Sequence, residues 1–231
     1  MRLAFAAVVL AVSAEHPDLD GGTAGASARR EHQRRKDRRE ALVREKHPHV
    51  GGLLLALGSQ PGREAAWARG ADGEAIVAES LAKRLNDGVV VLHDRRMPRS
   101  RANIDHIAIA PSGVWVVDAK RYKGKVMIRR PLFGGAKLIV AGRDRTTLID
   151  GLARQVGAVR AVVADVWPEA SVHGALCFVD ADLPLLASLS FNDYPLLYPK
   201  ALAKRINARG PHSQDTVRDL AVRLAERFPA A

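Results

Sequence analysis

A short turn between two apolar stretches constrains the fold of this chain more than any other feature. Isoleucine and alanine dominate residues 104–109, and valine dominates residues 114–117. Between them, Ala110-Pro111-Ser112-Gly113 has proline and glycine at the positions that a type I turn favours. The pattern predicts a buried antiparallel hairpin, in which Ala110 pairs with Gly113 and Asp105 lies opposite Asp118.

Two opposed carboxylates inside an apolar hairpin require a specific explanation. Directly opposed side chains have Cβ atoms ~5 Å apart, and like charges at that distance destabilise a sheet. Lys120 follows Asp118 by two residues and therefore projects from the same face. The two carboxylates either share a proton, pair with Lys120 or hold a cation. An aspartate that forms a turn or a surface ion pair is the alternative interpretation, and we favour a cation site.

Further segments in the same order extend the pattern over about residues 68–180. Together they resemble the PD-(D/E)xK nucleases and, more closely, the nuclease-related domain (NERD) family. The resemblance implies an α/β (α+β) fold with a restriction-endonuclease-like core, in which helices flank a mixed central β-sheet. It also implies metal-dependent hydrolysis of nucleic acid, DNA above all. The matching segments are Gly70-Ala-Asp-Gly-Glu74, Asn103-Ile-Asp-His106, Ser112-Gly113, Val117-Asp-Ala-Lys120, Tyr122-Lys-Gly124 and Gln155.

The resemblance assigns roles to the residues of the hairpin. It implies that Asp105, Asp118 and the backbone carbonyl of Ala119 hold Mg²⁺ or Mn²⁺. Oxygen ligands suit Mg²⁺, which is usually held by one or two carboxylates together with substrate phosphate. Lys120 is expected to orient or activate the attacking water, or to stabilise charge that develops on the phosphate. Its role as a base stays open, because a metal ion lowers its pKa and the carboxylates raise it.

Glu74 and Gln155 lie on predicted helices. Apolar residues recur with helical spacing over 72–85, and Asp72 suits the N-cap position. Glu74 then falls in the first turn, where the helix dipole favours a carboxylate whatever its function. Gln155 belongs to a predicted amphipathic helix near 146–165. The resemblance makes both residues part of the catalytic site; the alternatives are a first-turn glutamate and a solvated glutamine.

Charge and cysteine content narrow the range of partners. The 231 residues include 36 lysines and arginines against 25 acidic residues, a formal charge of +11 that favours a polyanion such as nucleic acid. A GC-rich genome produces the same bias towards arginine. The single cysteine, Cys177, excludes an internal disulfide and a cysteine-based zinc site. Six basic residues near the hairpin are predicted to bind phosphates: Arg95, Arg96, Arg99, Arg101, Arg121 and Lys123.

Composition at the ends of the chain and the family resemblance in its middle together divide it into four segments. Residues 1–28 are predicted to be a flexible N-terminus, which starts with a signal-like apolar run or a misassigned start. Residues 29–66 form a basic helical arm and an apolar docking segment, residues 67–180 the nuclease-related domain, and residues 181–231 a helical extension packed on the core. The apolar run is too short to span a bilayer, so we expect a cytoplasmic protein without membrane insertion. The alternative function is a catalytically silent module that binds or scaffolds nucleic acid.

Overall fold

The computed structural model describes residues 19–46, 61–100, 102–184 and 189–231. Its centre is a mixed sheet of eight strands with helices on both faces, which confirms the predicted α/β fold. The strands are β1 (Val90–Arg96), β2 (Asn103–Ala110), β3 (Gly113–Arg129), β4 (Lys137–Val140), β5 (Arg143–Asp144), β6 (Val172–Asp182), β7 (Leu189–Phe191) and β8 (Tyr194–Leu197). The helices are α1 (Ala26–Lys46), α2 (Pro61–Ala82), α3 (Thr147–Val166), α4 (Pro199–Ile206) and α5 (Gln214–Arg227).

Strands β2 and β3 form the predicted hairpin in the predicted register. Their paired residues run from Ala110 with Gly113 to His106 with Val117. Gly113 has φ of +119°, and a Cβ there would lie 2.5 Å from the carbonyl oxygen of Ser171, so the turn requires glycine. Strand β1 pairs antiparallel with β2, whereas β6 pairs parallel with β3, which gives the order β1-β2-β3-β6-β8-β7.

Each face of the sheet is covered by two helices, which bury their apolar side chains against it. On one face, α3 contributes Leu152, Val156 and Val159, at the three- and four-residue spacing of an amphipathic helix. Helix α5 covers the same face. On the other face, α2 contributes Val77 and Leu81, and α4 lies beside it. Within the described residues, no helix is long and apolar enough to cross a membrane.

Both termini of the described chain contribute to this core. Strand β8 pairs with β6, and α4 and α5 supply buried residues to opposite faces, so residues 189–231 complete the sheet and both layers. Residues 19–25 pack against β1, although sequence predicts flexibility as far as residue 28: Leu19 is buried, and the N–H of His93 donates to the carbonyl of Gly21 at 2.8 Å. The signal-like run and the apolar docking segment lie outside the described residues.

Helix α2 begins earlier than its sequence predicts. It runs without a break from Pro61, so Asp72 is an internal residue and the predicted N-cap is wrong. The helix crosses β3 at Gly73, where an added Cβ would lie 2.9 Å from the Cβ of Arg121. This close approach brings the following residue, Glu74, towards the end of the hairpin.

The glycines of α2 provide a matched test of this packing. Gly73→Ala is expected to lower the free energy of unfolding by about 1–2 kcal/mol, because overpacking at Arg121 outweighs the gain in helix propensity. Gly70 is exposed, and a Cβ added there would meet nothing within 4 Å, so Gly70→Ala should stabilise the protein by about 0.5–1 kcal/mol. Urea unfolding of both variants measures the difference, and equal effects would contradict the close packing of α2 on β3.

Candidate active site

Three aspartates lie side by side across strands β1, β2 and β3. His106 pairs with His93 on one side and with Val117 on the other, which puts Asp94, Asp105 and Asp118 in the next row. Regular pairing of β2 with β3 ends before this row, whereas pairing of β2 with β1 is interrupted at the row and resumes where Ile104 pairs with Arg95. Instead, the N–H of Ala119 donates to the carboxylate of Asp105 at 2.8 Å. The two strands of the hairpin therefore separate where the acidic residues begin.

The ammonium group of Lys120 lies where the predicted metal ligands converge. Its Nζ donates to the carboxylate of Asp118 and to the carbonyl oxygen of Ala119, the latter at 3.1 Å. The nearer carboxylate oxygen of Asp105 is 3.9 Å away. Two carboxylates and one backbone carbonyl thus surround a single positive charge. This oxygen set also fits a hard divalent cation, which is why we regard the site as a candidate metal site.

Electrostatics keeps Lys120 protonated. Burial lowers its pKa, but the charges of Asp118 and Asp105 and the hydrogen bond to Asp118 outweigh that effect and raise it above its ordinary value. In this arrangement Lys120 is a cationic hydrogen-bond donor and not a base.

Two carboxyl groups of the site, those of Asp118 and Glu74, have pKa values well above the ordinary value. Burial, partly offset by Lys120 and reinforced by Asp105, raises the pKa of Asp118 to about 7. Burial raises the pKa of Glu74 to about 8, and the charges of Asp105 and Asp94 add to the shift. Glu74 is therefore within electrostatic reach of the aspartate row. Since it lies well inside α2, the dipole of a first helical turn does not explain its presence.

Residues 69–179 match the family model described as NERD, nuclease-related domain. This segment is a NERD domain. No curated protein and no solved structure is similar enough to the chain to count as a match. Within the described ranges, no group of three or more histidine, cysteine, aspartate and glutamate side chains could hold a metal ion, so the candidate ligand set is two carboxylates and one carbonyl.

Gln155, on α3, contacts β2 beside the candidate site and is not solvated. Its side chain is buried, and its Nε2 donates to the carbonyl oxygen of Asn103 at 3.1 Å, two residues before Asp105. Its Oε1 is also buried and has no hydrogen-bond donor among the described residues. A buried acceptor without a partner is unfavourable, which makes it a candidate for contact with a ligand.

Asp94 is a member of the row that the sequence motif does not predict. Its carboxylate accepts hydrogen bonds from the N–H and Oγ of Ser27, at 2.5 and 2.6 Å, and from Nδ2 of Asn103 at 3.0 Å. These donors engage both carboxylate oxygens, so Asp94 anchors the start of α1. Asp94 could have been predicted only from the register of β1 on β2, which puts Asp94 opposite Asp105.

The histidines beside the row form a neutral pair, in which His106 is fully buried and His93 is partly buried. The Nδ1 atoms of His93 and His106 are 2.9 Å apart, which requires one to donate and the other to accept. Burial lowers both pKa values to about 3, with added repulsion from His106 on His93 and from Lys120 on His106. Alternation along β2 turns His106 away from the face of Asp105. His106 therefore packs against His93 on the opposite face of β2 from Asp105.

The six predicted phosphate-binding residues differ in their surroundings. Arg96, Arg99 and Lys123 are exposed, and Arg101 lies outside the described residues. Arg121 bridges Asp72 at 3.1 Å and Asp180 at 2.8 Å, and so ties α2 to β6. The prediction for Arg95 is wrong. Its side chain is 1% exposed and donates to the backbone carbonyls of Asp20 and Phe228, which closes both termini over β1.

The raised pKa values predict how stability depends on pH. In the folded protein Glu74 and Asp118 keep their protons up to about pH 7 to 8, whereas in the unfolded chain they lose them near pH ~4. His93 and His106 act in the opposite sense below pH ~6.5, because they are protonated only in the unfolded chain. The free energy of unfolding should therefore fall as pH rises from about 6.5 to 8, where, among these four groups, the two carboxyl groups alone differ between the states. Glu74→Gln should reduce the fall, because it removes one of the buried acids.

Urea unfolding at a series of pH values checks this prediction. Glu79→Gln is the matched control, since Glu79 is an exposed glutamate of the same helix. The control should keep the parental pH dependence. A parental slope in Glu74→Gln as well would mean that Glu74 is not a buried acid of the site.

Proposed function

We propose that the chain is a nuclease that uses Mg²⁺ or Mn²⁺ to hydrolyse phosphodiester bonds of nucleic acid, DNA above all. The observation that carries this proposal is the convergence of Asp105, Asp118 and the carbonyl of Ala119 around one cationic group. That cationic group is the ammonium of Lys120. The same oxygens fit a divalent cation, and Lys120 would then be a second positive charge beside it. Membership of the NERD family supports the same function.

The residues of the site divide the work of the proposed reaction. Asp105, Asp118 and the Ala119 carbonyl would hold the metal ion, which supplies charge stabilisation at the phosphate and a more acidic bound water. Lys120 is suited to donate hydrogen bonds to phosphate oxygens as negative charge develops there. Glu74, with a pKa of about 8, is suited to take up or release a proton near neutral pH. Gln155 offers its buried Oε1 to a water or a ligand.

Charge supports nucleic acid as the substrate. The chain carries a formal charge of +11, and Arg96, Arg99 and Lys123 present exposed cations near the aspartate row. Phosphate contacts of this kind give sequence-independent affinity that weakens as salt rises.

Removal of one ligand should separate cleavage from binding. Asp118→Asn is expected to reduce the rate of Mg²⁺-dependent DNA cleavage at least ~100-fold, because the variant loses one of the two carboxylates that would hold the metal ion. DNA binding should stay the same or tighten, since a negative charge is removed. Asp165→Asn, at an exposed aspartate of α3, is the control and should cleave like the parent.

Two results would count against the proposal. If Asp118→Asn cleaves as well as the parent, the site is assigned to the wrong residues. If parent and variants bind DNA but cleave neither DNA nor RNA with Mg²⁺ or Mn²⁺, the chain is the alternative, a binding or scaffolding module of the same fold.

Metal binding can be tested without any substrate. Calorimetric titration of Mn²⁺ should reveal binding to the parent and to Asp165→Asn, and none to Asp105→Asn/Asp118→Asn. Because the pKa of Asp118 is about 7, binding at neutral pH should release protons, and the measured enthalpy should change with the ionisation enthalpy of the buffer. Equal binding by the parent and the double variant would move the metal site elsewhere.

A further inference from the structure

The two most exposed large apolar side chains of the described protein lie next to each other. Leu132 is 98% exposed and Phe133 is 92% exposed. Both belong to the loop of residues 130–136, between β3 and β4. In residues 123–145, which we call the ribbon, β3 pairs with β4, and β4 pairs with β5. The apolar pair therefore stands at the tip of a hairpin.

The ribbon is firmly built below its tip. Val126, Leu138 and Val140 are almost fully buried between the ribbon and the main core. The backbone of Leu138 exchanges hydrogen bonds with the start of the next segment: its N–H donates to Oγ1 of Thr146, and its carbonyl accepts from Arg145. A hairpin anchored in this way holds its tip at a fixed distance from the core, so the exposure of Leu132 and Phe133 is a property of the fold.

Positive charge surrounds the apolar tip. The ribbon contains six lysines and arginines besides Arg145 at its end, and one acidic residue, Asp144, which pairs with Lys137 at 3.3 Å. Lys125, Met127 and Arg129 alternate with less exposed residues along β3 and are all exposed, so they share the outward face. The exposed basic residues are Lys123, Lys125, Arg129, Arg130, Lys137 and Arg143.

Cations that flank an exposed aromatic and aliphatic pair match the chemistry of a nucleic-acid duplex. Lysine and arginine bind the phosphates, and apolar side chains enter between base pairs, unstack them and kink the helix. We propose that the ribbon binds duplex nucleic acid and that Leu132 and Phe133 act as a wedge between base pairs. This inference rests on the proposed function in one respect, the choice of nucleic acid as the partner.

The position of the ribbon favours nucleic acid over an anionic lipid surface of similar chemistry. Strand β3 carries Asp118 and Lys120 and continues directly into the ribbon. Arg129 follows Lys120 by nine residues, roughly 30 Å of extended strand. A duplex that lies along β3 can therefore contact the tip and the candidate active site together. A duplex kinked by the wedge also has weakened stacking near the bond to be cut.

Three variants of the full chain test the wedge. Leu132→Ser/Phe133→Ser removes its apolar side chains, and Arg129→Ser/Arg130→Ser removes two flanking charges. Leu42→Ser is the matched control, because Leu42 is an exposed leucine of α1. The probe is a DNA duplex of about 30 base pairs, long enough to span three helical turns, that contains 2-aminopurine, whose fluorescence rises when it is unstacked. Binding is measured by anisotropy over a series of salt concentrations, with EDTA present to prevent cleavage.

The wedge and the charges should produce different effects. Leu132→Ser/Phe133→Ser should weaken binding about tenfold and abolish the fluorescence rise, while the salt dependence stays parental. Arg129→Ser/Arg130→Ser should lower the salt slope by about two, one for each phosphate contact that the variant cannot make. Leu42→Ser should match the parent in both measurements.

Other outcomes would overturn the inference. Parental affinity and parental fluorescence in Leu132→Ser/Phe133→Ser would mean that the tip does not enter the duplex. Vesicles of phosphatidylglycerol and phosphatidylcholine provide the competing surface: wedge-dependent binding to them, with unchanged binding to DNA, would identify a lipid-binding tip instead.

The nuclease and the wedge can fail separately. If the parent unstacks the duplex through Leu132 and Phe133 but never cleaves DNA, the nuclease proposal is contradicted and the wedge proposal still holds. The wedge proposal alone is contradicted if Asp118→Asn abolishes cleavage while Leu132→Ser/Phe133→Ser cleaves and binds DNA like the parent.

Discussion

The hydrogen bond from the N–H of Ala119 to the carboxylate of Asp105 is the contact on which the site depends. A buried N–H needs an acceptor, and along most of the hairpin a carbonyl of the neighbouring strand provides it. At this row a side chain takes the place of that carbonyl, so β2 and β3 can separate without leaving the donor unsatisfied. The separation makes room for the side chain of Lys120 beside Asp118, at the point where the ladder between β2 and β3 has ended.

The second constraint is an excess of negative charge, which arises because the separation of β2 and β3 gathers several carboxyl groups around one lysine. Glu74, Asp105 and Asp118 share the cation of Lys120, and burial deprives the carboxylates of water. The result is a pKa of about 7 for Asp118 and about 8 for Glu74. A fold selected for stability alone gains nothing from buried acids with such values, whereas strongly shifted groups cluster at functional sites. A divalent cation would balance the same charges that the protein otherwise balances by binding protons.

Local pattern was sufficient to predict the hairpin and insufficient to predict its surroundings. Strand alternation has a strict period, so the turn at Pro111 fixed the register that the structure confirms. The predicted start of α2 was wrong, because Asp72 has the residue type of an N-cap although it lies inside the helix. The position of the helix is set by the close approach of Gly73 to Arg121, two residues far apart in sequence. The prediction that Arg95 binds phosphate was wrong for the same reason: the carbonyls that accept hydrogen bonds from its side chain belong to distant parts of the chain.

Strand β3 connects these features mechanically. It pairs in turn with β2, β6 and β4, so it is held along its whole length. Arg121 stands where its pairing with β6 becomes irregular, and its guanidinium bridges Asp72 and Asp180. Helix α2 is thus fixed to β3 by the close packing at Gly73 and by this bridge. Glu74 follows Gly73 directly, so its position relative to Asp118 and Lys120 is set by the strand that bears them.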